Sequence, residues 1–303
     1  MAPFYGTAAA VGLVALSGIR AVAAQQDPQQ QITYKLTLEN VTEDAYLAVN
    51  LARNGNLPVH IKEVAEDKNL VSKLEGVVTG VGAVEAGPDG EEPSESCKTL
   101  INSEHFDEVF RQAFEYPAGD GATPNYRQTL QEALKGGLAL FREFLTITFA
   151  LCFVFCTYLL QSNQYPVDET AWGKIWEKDA GASLGYLLGS NSTQVGCVIG
   201  RCTKVTTPGE ANRSAVEKTV KSGDPVETPT SKAVLLCQLE PAADRNTAPF
   251  DEDYFVGLIA RKTELANMTE EDLKAPANDG TAAAAVPTIL FAGLVAMLAG
   301  MSA

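Results

Sequence analysis

Charge is missing from both ends of this chain. Met1–Ala24 carry a single charged side chain, Arg20, and Thr281–Ala303 carry none, although the chain holds 23 Lys and Arg and 38 Asp and Glu. Apolar ends of this kind do not belong to a folded interior; they read as addresses that bring a chain to a membrane and are then cut away. At the N-terminus the apolar stretch Ala8–Ile19 is followed by Ala21-Val22-Ala23, a small-x-small cleavage pattern, and by polar Gln25-Gln26-Asp27. Residues 1–24 are thus read as a signal peptide. No basic residue precedes the apolar stretch, and a retained membrane anchor is the alternative. At the C-terminus the small residues Asn278, Asp279 and Gly280 are candidate lipid-attachment points, ahead of the spacer Thr281–Ala285 and the apolar Val286–Met301. Residues 281–303 read as a GPI-attachment signal, with an ordinary transmembrane helix as the alternative; nothing basic follows the tail to anchor such a helix.

Between these ends lie a Gln-rich leader (25–31), a main domain (32–265) and a linker (266–280). Enough chain remains for one large domain or two small ones. The net charge is −15, and losing Arg20 with the leader makes it −16. No run of Lys or Arg occurs, so nucleic acid and anionic membrane surfaces are poor partners. Six cysteines, at 97, 152, 156, 197, 202 and 237, point to disulfides formed in an oxidising compartment; six thiols allow 15 complete pairings and spacing does not choose among them. Zinc at Cys197-x4-Cys202 is the competing reading, but no third ligand lies close by. Asn40, Asn191, Asn212 and Asn267 each open an N-x-S/T tripeptide, a possible N-glycosylation site.

The pattern along the domain predicts an α+β fold, helices first and strands later, around one core. Ile32–Leu38 alternates like a strand. Thr42 is placed to cap a helix through about Arg53, with Asn54-Gly55 as its stop. A second helix is expected over Ile61–Leu74, a surface loop over Gly80–Ser96, and a helix over Cys97–Tyr116. Asn125 starts a long helix, Tyr126–Phe144. A single amphipathic helix is expected over Asp168–Leu188, burying Trp172, Ile175, Trp176, Leu184 and Leu187. Gln194–Ile199 and Ala233–Leu239 read as strands, with a flexible, weakly hydrophobic loop at 204–231. A third apolar run, Phe144–Leu160, holds 17 residues without a charge, the lower limit for crossing a bilayer. Spanning there would put Cys97 across the membrane from the later cysteines. A buried or surface-lying element, or sequence foreign to the mature product, accounts for it more simply.

Ser192–Arg201 (STQVGCVIGR) with Cys202, then Cys237–Ala243 (CQLEPAA), Asn246 and Pro249-Phe250, resemble the late signature of CAP-superfamily secreted domains. More closely, the chain resembles the SAG surface-antigen family of coccidian parasites of the Eimeria type. The likeness extends to Tyr46–His60, Phe114–Pro117, Asn125–Phe141, Trp172–Thr203, Ala248–Arg261 and the tail Thr281–Leu298. It implies a CAP-like α-β-α sandwich in a single disulfide-bonded ectodomain. It further implies Cys202 paired with Cys237 across adjacent strands, and Cys97 with Cys197. Relative to that family, Leu145–Asn163 is an insertion, either true or a retained intron. The family implies a GPI-anchored antigen at the cell surface that meets a host cell-surface component and host antibodies, without catalysis and with no cofactor. A CAP-type module carrying a sterol or other lipid is the rival.

Residues that might carry chemistry are sparse. Many CAP domains hold a His/Glu cluster in a central cleft; one such histidine would fall in Ala180–Gly185, where Ser183 stands near the position. The two histidines, His60 and His105, are far apart in sequence and read as structural or solvated. No G-x-S-x-G, P-loop or H-E-x-x-H is present. Asp251-Glu252-Asp253 are expected to cap a helix beginning near Tyr254. No catalytic, cofactor or metal residue is assigned.

Overall fold

Alternation of side chains along two long neighbouring strands organises the molecule. The computed structural model describes residues 31–86, 94–119, 121–147, 165–166, 168–207 and 224–274. The strands are β1 Gln31–Asn40, β2 Ala65–Glu66, β3 Val84–Glu85, β4 Phe110–Glu115, β5 Gln194–Thr207 and β6 Val226–Glu240. They form one sheet in the order β3-β1-β5-β6-β4, antiparallel throughout, with β2 joining β5 in parallel. The sheet curls into a half-barrel. The helices are α1 Glu43–Asn54, α2 Lys68–Gly80, α3 Ser94–Ile101, α4 Tyr126–Ile147, α5 Glu169–Trp176, α6 Asp179–Leu187 and α7 Glu252–Ala260. The fold is therefore mixed helix and sheet, as expected.

Period-two alternation sends consecutive residues of β5 and β6 to opposite sides. Val195, Cys197 and Ile199, with Leu235, Cys237 and Leu239, enter a large core shared with α1, α4, α5, α6 and α7. Val198 and Cys202, with Val234 and Leu236, enter a smaller core with Tyr34 and Leu36 of β1, Leu74 and Val78 of α2, and Cys97, Leu100 and Ile101 of α3. Helices thus cover both faces. Gly196 belongs to the smaller side: a Cβ there would lie 2.5 Å from the Val71 nitrogen and 2.6 Å from Leu70. The glycine lets α2 lie directly on β5, while its neighbour Cys197 faces the other way.

That alternation corrects the expected disulfides. Cys97 bonds to Cys202 and Cys197 to Cys237, the reverse of the pairing drawn from the family resemblance. Cys197 stands opposite Cys237 in register, with Cα atoms 4.1 Å apart. Cys202, five residues later, has odd spacing from Cys197 and so faces the other core, where α3 brings Cys97 to a Cα distance of 5.6 Å. With both cysteines committed to different partners, the zinc reading of Cys197-x4-Cys202 falls.

Several elements differ from expectation. The helix expected over Ile61–Leu74 begins only at Lys68, where the Asp67 carboxylate accepts from the amides of Asn69 and Leu70. Ahead of it the Asn50 side chain takes both backbone groups of Val64, at 2.9 Å each, and holds that stretch extended. The helix expected over Cys97–Tyr116 ends at Ile101; Phe110–Glu115 is instead the edge strand β4, paired with Lys232–Cys237. Asp168–Leu188 is two helices, broken at Glu177 and Lys178. The loop expected over 204–231 is strand at 204–207 and 226–231, because β5 and β6 continue as a ribbon beside β1. The linker expected from 266 starts too early: Met268 is buried, and the turn Glu270–Leu273 packs on α1, with the Asn56 amide bonded to the Asp272 carbonyl. Gln31, assigned to the leader, already pairs with Thr207.

The signal peptide, Asn212, Cys152, Cys156, the attachment candidates Asn278, Asp279 and Gly280, the C-terminal tail and the run from 148 lie outside the described residues. Phe141 before that run and Tyr165 after it both pack edge-on against Trp172, with ring centroids 5.9 and 5.5 Å away. Phe141 and Tyr165 thus meet the large core at one place. Among the described residues, no helix is long and apolar enough to cross a membrane.

Candidate functional site

A buried helix end must find partners for its last carbonyls, and the C-terminal end of α1 finds them in Arg261 and Tyr254. Arg261 donates to the carbonyls of Leu51, Ala52 and Gly55. Arg53 is fully buried, and its guanidinium donates to Leu187 O at 2.6 Å, Lys62 O at 2.8 Å and Gly189 O at 3.0 Å. The Tyr254 hydroxyl donates to Arg53 O at 2.6 Å. Burial pushes the Arg53 guanidinium down to about 10, while Tyr254 works the other way. Arg53 therefore stays charged at neutral pH. Among the described residues its bonds go to carbonyls and none to a carboxylate, so helix-end and loop dipoles carry the compensation.

Arg53 thereby holds the walls of a cleft of about 450 Å³. One wall is the turn Gly189–Ser192, the other is the loop Pro241–Pro249, and Lys62 closes one side. The loop is tied to the turn by Ser192 Oγ donating to Pro241 O at 2.7 Å and by the Ser190 amide donating to Pro249 O at 2.8 Å. A cis Glu240–Pro241 peptide and Asn246, at φ 131°, shape the loop. Of the residues that carried the family resemblance, Ser192, Pro241, Ala242, Ala243 and Pro249 line this opening, while the cysteines lie in the two cores. It is lined by Lys62, Ser190, Asn191, Asp244 and Thr247, with Ala242, Ala243 and two prolines.

The residues considered for catalysis are engaged elsewhere. Ser183 is buried; its hydroxyl accepts from the Arg111 amide at 3.0 Å and donates to Arg111 O at 2.8 Å. It occupies the free edge of β4 and joins that strand to α6. Beside it a pocket of about 40 Å³ is lined by Asp107, Glu108, Tyr186 and Arg245 among others, with Arg111 paired to Asp179 at 2.9 Å. His105 shares a hydrogen bond with Ser103 at 2.9 Å in an exposed turn on the smaller side of the sheet, and His60 lies just beyond α1; they do not meet. Asp251 accepts from the Tyr254 amide at 2.9 Å and caps α7, as expected. Among the described residues, no group of three or more His, Cys, Asp or Glu could hold a metal ion. Of the sequons, Asn40, Asn191 and Asn267 are exposed, and Asn191 lines the cleft.

Sequence reasoning missed Arg53, Lys62 and Asp244. One signal was available: Arg53 stands four residues after Val49 and eight after Ala45, on the apolar face of α1, where a cation needs buried partners. Lys62 and Asp244 are exposed loop residues with no local pattern to mark them.

No family model matches the chain, and no curated protein matches it. The crystal structure of the Eimeria tenella surface antigen protein SAG19 matches with a TM-score of 0.35 and 14% identity, over 74% of this chain and 96% of that one. A TM-score of that size does not establish a shared fold.

Proposed function

We propose that this chain is a non-enzymatic surface antigen, exported through the secretory pathway and tethered by a GPI lipid attached at Asn278, Asp279 or Gly280. In this reading the described domain is a CAP-like ectodomain, and its role is contact with a host cell-surface component and exposure to host antibodies. The observation that carries the proposal is the pair of disulfides, one on each face of the sheet. Such bonds persist in oxidising compartments, and here they stand in a chain whose two ends are apolar and nearly uncharged. The sequence resemblance to coccidian surface antigens supplies the role. The engagement of Ser183, Asp251 and His105 in structural hydrogen bonds supports a binding surface over a reaction centre.

The test is performed on intact cells of the source organism. Surface biotinylation should label the protein, phosphatidylinositol-specific phospholipase C should release it, and mass spectrometry of the released form should end at 278, 279 or 280. Finding Val286–Ala303 in the mature protein would defeat the lipid anchor. A protein that resists surface labelling on intact cells would defeat the antigen reading.

A further inference from the structure

The cleft has a second property: a sequon stands in its wall. Asn191 opens Asn191-Ser192-Thr193, is exposed, and lies in the turn that forms one side of the opening. Asn40, by contrast, is the last residue of β1, and Asn267 ends a short turn before the buried Met268; neither lines the cleft. A sugar attached at Asn191 would be tethered at the mouth of a cavity of about 450 Å³. Tethering makes its contacts intramolecular, with an effective concentration on the order of millimolar for a short link. Contacts too weak to capture a free sugar then suffice. The lining is suited to an N-acetylhexosamine. Lys62 and Asp244 supply a charged donor and acceptor, Ser190 a hydroxyl, and Ala242, Ala243 and Pro249 an apolar patch for the acetamido methyl and ring C–H groups.

We propose that this cleft is the seat of an N-linked glycan on Asn191, its first N-acetylglucosamine lying between the turn Gly189–Ser192 and the loop Pro241–Pro249. The inference rests on the reading that the chain is exported. Arg53 is then a positioning residue for the seat, since its hydrogen bonds fix the carbonyls of Lys62 and Gly189 on two of its sides. A cleft filled by the protein's own sugar is closed to an outside ligand, so host contact would fall on another surface.

The full chain, secreted from glycosylating animal cells behind a heterologous leader, separates this inference from the question of its native address. Glycopeptide mapping should find Asn191 occupied. Acylation of the Lys62 amine by a soluble active ester, read at that peptide, should be several-fold slower than in Asn191→Gln or in enzymatically deglycosylated protein. Asn40→Gln and Asn267→Gln should leave Lys62 as slow as in the parent, which controls for general loosening of the fold. An unmodified Asn191, whether or not Asn40 or Asn267 is occupied, overturns the inference. So does an occupied Asn191 with Lys62 reacting equally fast in all forms.

Discussion

The two faces of the sheet are stabilised in different ways. The large face is a nest of rings: Phe141, Tyr165, Trp172, Phe250 and Phe255 meet mostly edge-to-face at centroid distances between 5.5 and 6.4 Å. Such pairs add to an already large burial. The small face has two helices, mostly aliphatic side chains and one covalent tie from α3 to β5. Where little apolar area is available, constraining the unfolded chain does more. The Cys97–Cys202 bond spans 105 residues and Cys197–Cys237 spans 40, which the chain-entropy model values at ~4.8 and ~3.9 kcal/mol. The longer loop is closed on the side with the smaller core.

The largest effect should come from cutting that tie. Cys97→Ala with Cys202→Ala is expected to cost about 4–5 kcal/mol in denaturant unfolding, and amide exchange should show α3 opening first. If exchange instead rises evenly on both faces, the small face does not depend on its disulfide. Next is Phe141→Ala on the aromatic side, expected to cost about 3–5 kcal/mol through lost packing and a residual cavity; a loss below ~1 kcal/mol would mean that the nest closes over the gap. Ser183→Ala strands the amide and carbonyl of Arg111 at the open strand edge and should cost about 1–3 kcal/mol. Because an uncovered edge recruits other chains, it should also raise aggregation measured by light scattering.

A pH titration compares the faces without mutation. Burial is the main cause that holds the hydroxyls of Tyr46, Tyr165, Tyr186 and Tyr254 above the usual phenol range, and burial together with Glu39 pushes Tyr116 up to about 12. A folded pKa above the unfolded one means that the folded state keeps its proton longer. That stability is complete below about pH 10 and is lost as pH rises beyond it through each folded pKa. Tyr46, Tyr165, Tyr186 and Tyr254 belong to the large core, so alkaline unfolding should begin there, with tyrosinate absorbance and near-ultraviolet dichroism changing together. The smallest effect is expected from deleting 145–163. Phe141 and Tyr165 already meet on Trp172, so the far-ultraviolet spectrum and melting temperature of the shortened chain should stay close to those of the parent. A collapse of the melting transition would show that residues 145–163 are part of the large core.

Much of the architecture was legible, and the failures share a cause. α1, α4 and α7 announced themselves by Thr42, Asn125 and Asp251 ahead of periodic apolar residues, and the buried faces of α5 and α6 followed from the spacing of Trp172, Ile175, Trp176, Leu184 and Leu187. Where local pattern was ambiguous, tertiary pairing decided. Phe110–Glu115 has enough apolar residues to pass for helix and is a strand because β6 offers it a ladder. Residues 226–231 look polar and loose, yet pair with β5 at the far end of the ribbon. The cleft was less visible, because its walls come from segments around 62, 190 and 245 that only the fold assembles. The odd spacing of Cys197 and Cys202 sends their sulfurs to opposite sides only if one strand runs through both; the strand legible in the sequence stopped at Ile199, so the pairing was decided by register with β6 and the docking of α3.

That spacing also makes the covalent pattern a record of strand register. Four cysteines can join in three ways, and the native one forms only when β5 lies in step with β6 at Cys197 and Cys237 while turning Cys202 toward α3. Slipping β5 by one residue would present each thiol to the wrong layer and leave it without a partner at bonding distance. Chains that oxidise in the wrong order are therefore distinguishable from native ones by their cystine map alone. Because Cys97 is carried by α3, a complete native cystine map reports both that β5 and β6 are in step and that α3 has docked on β5.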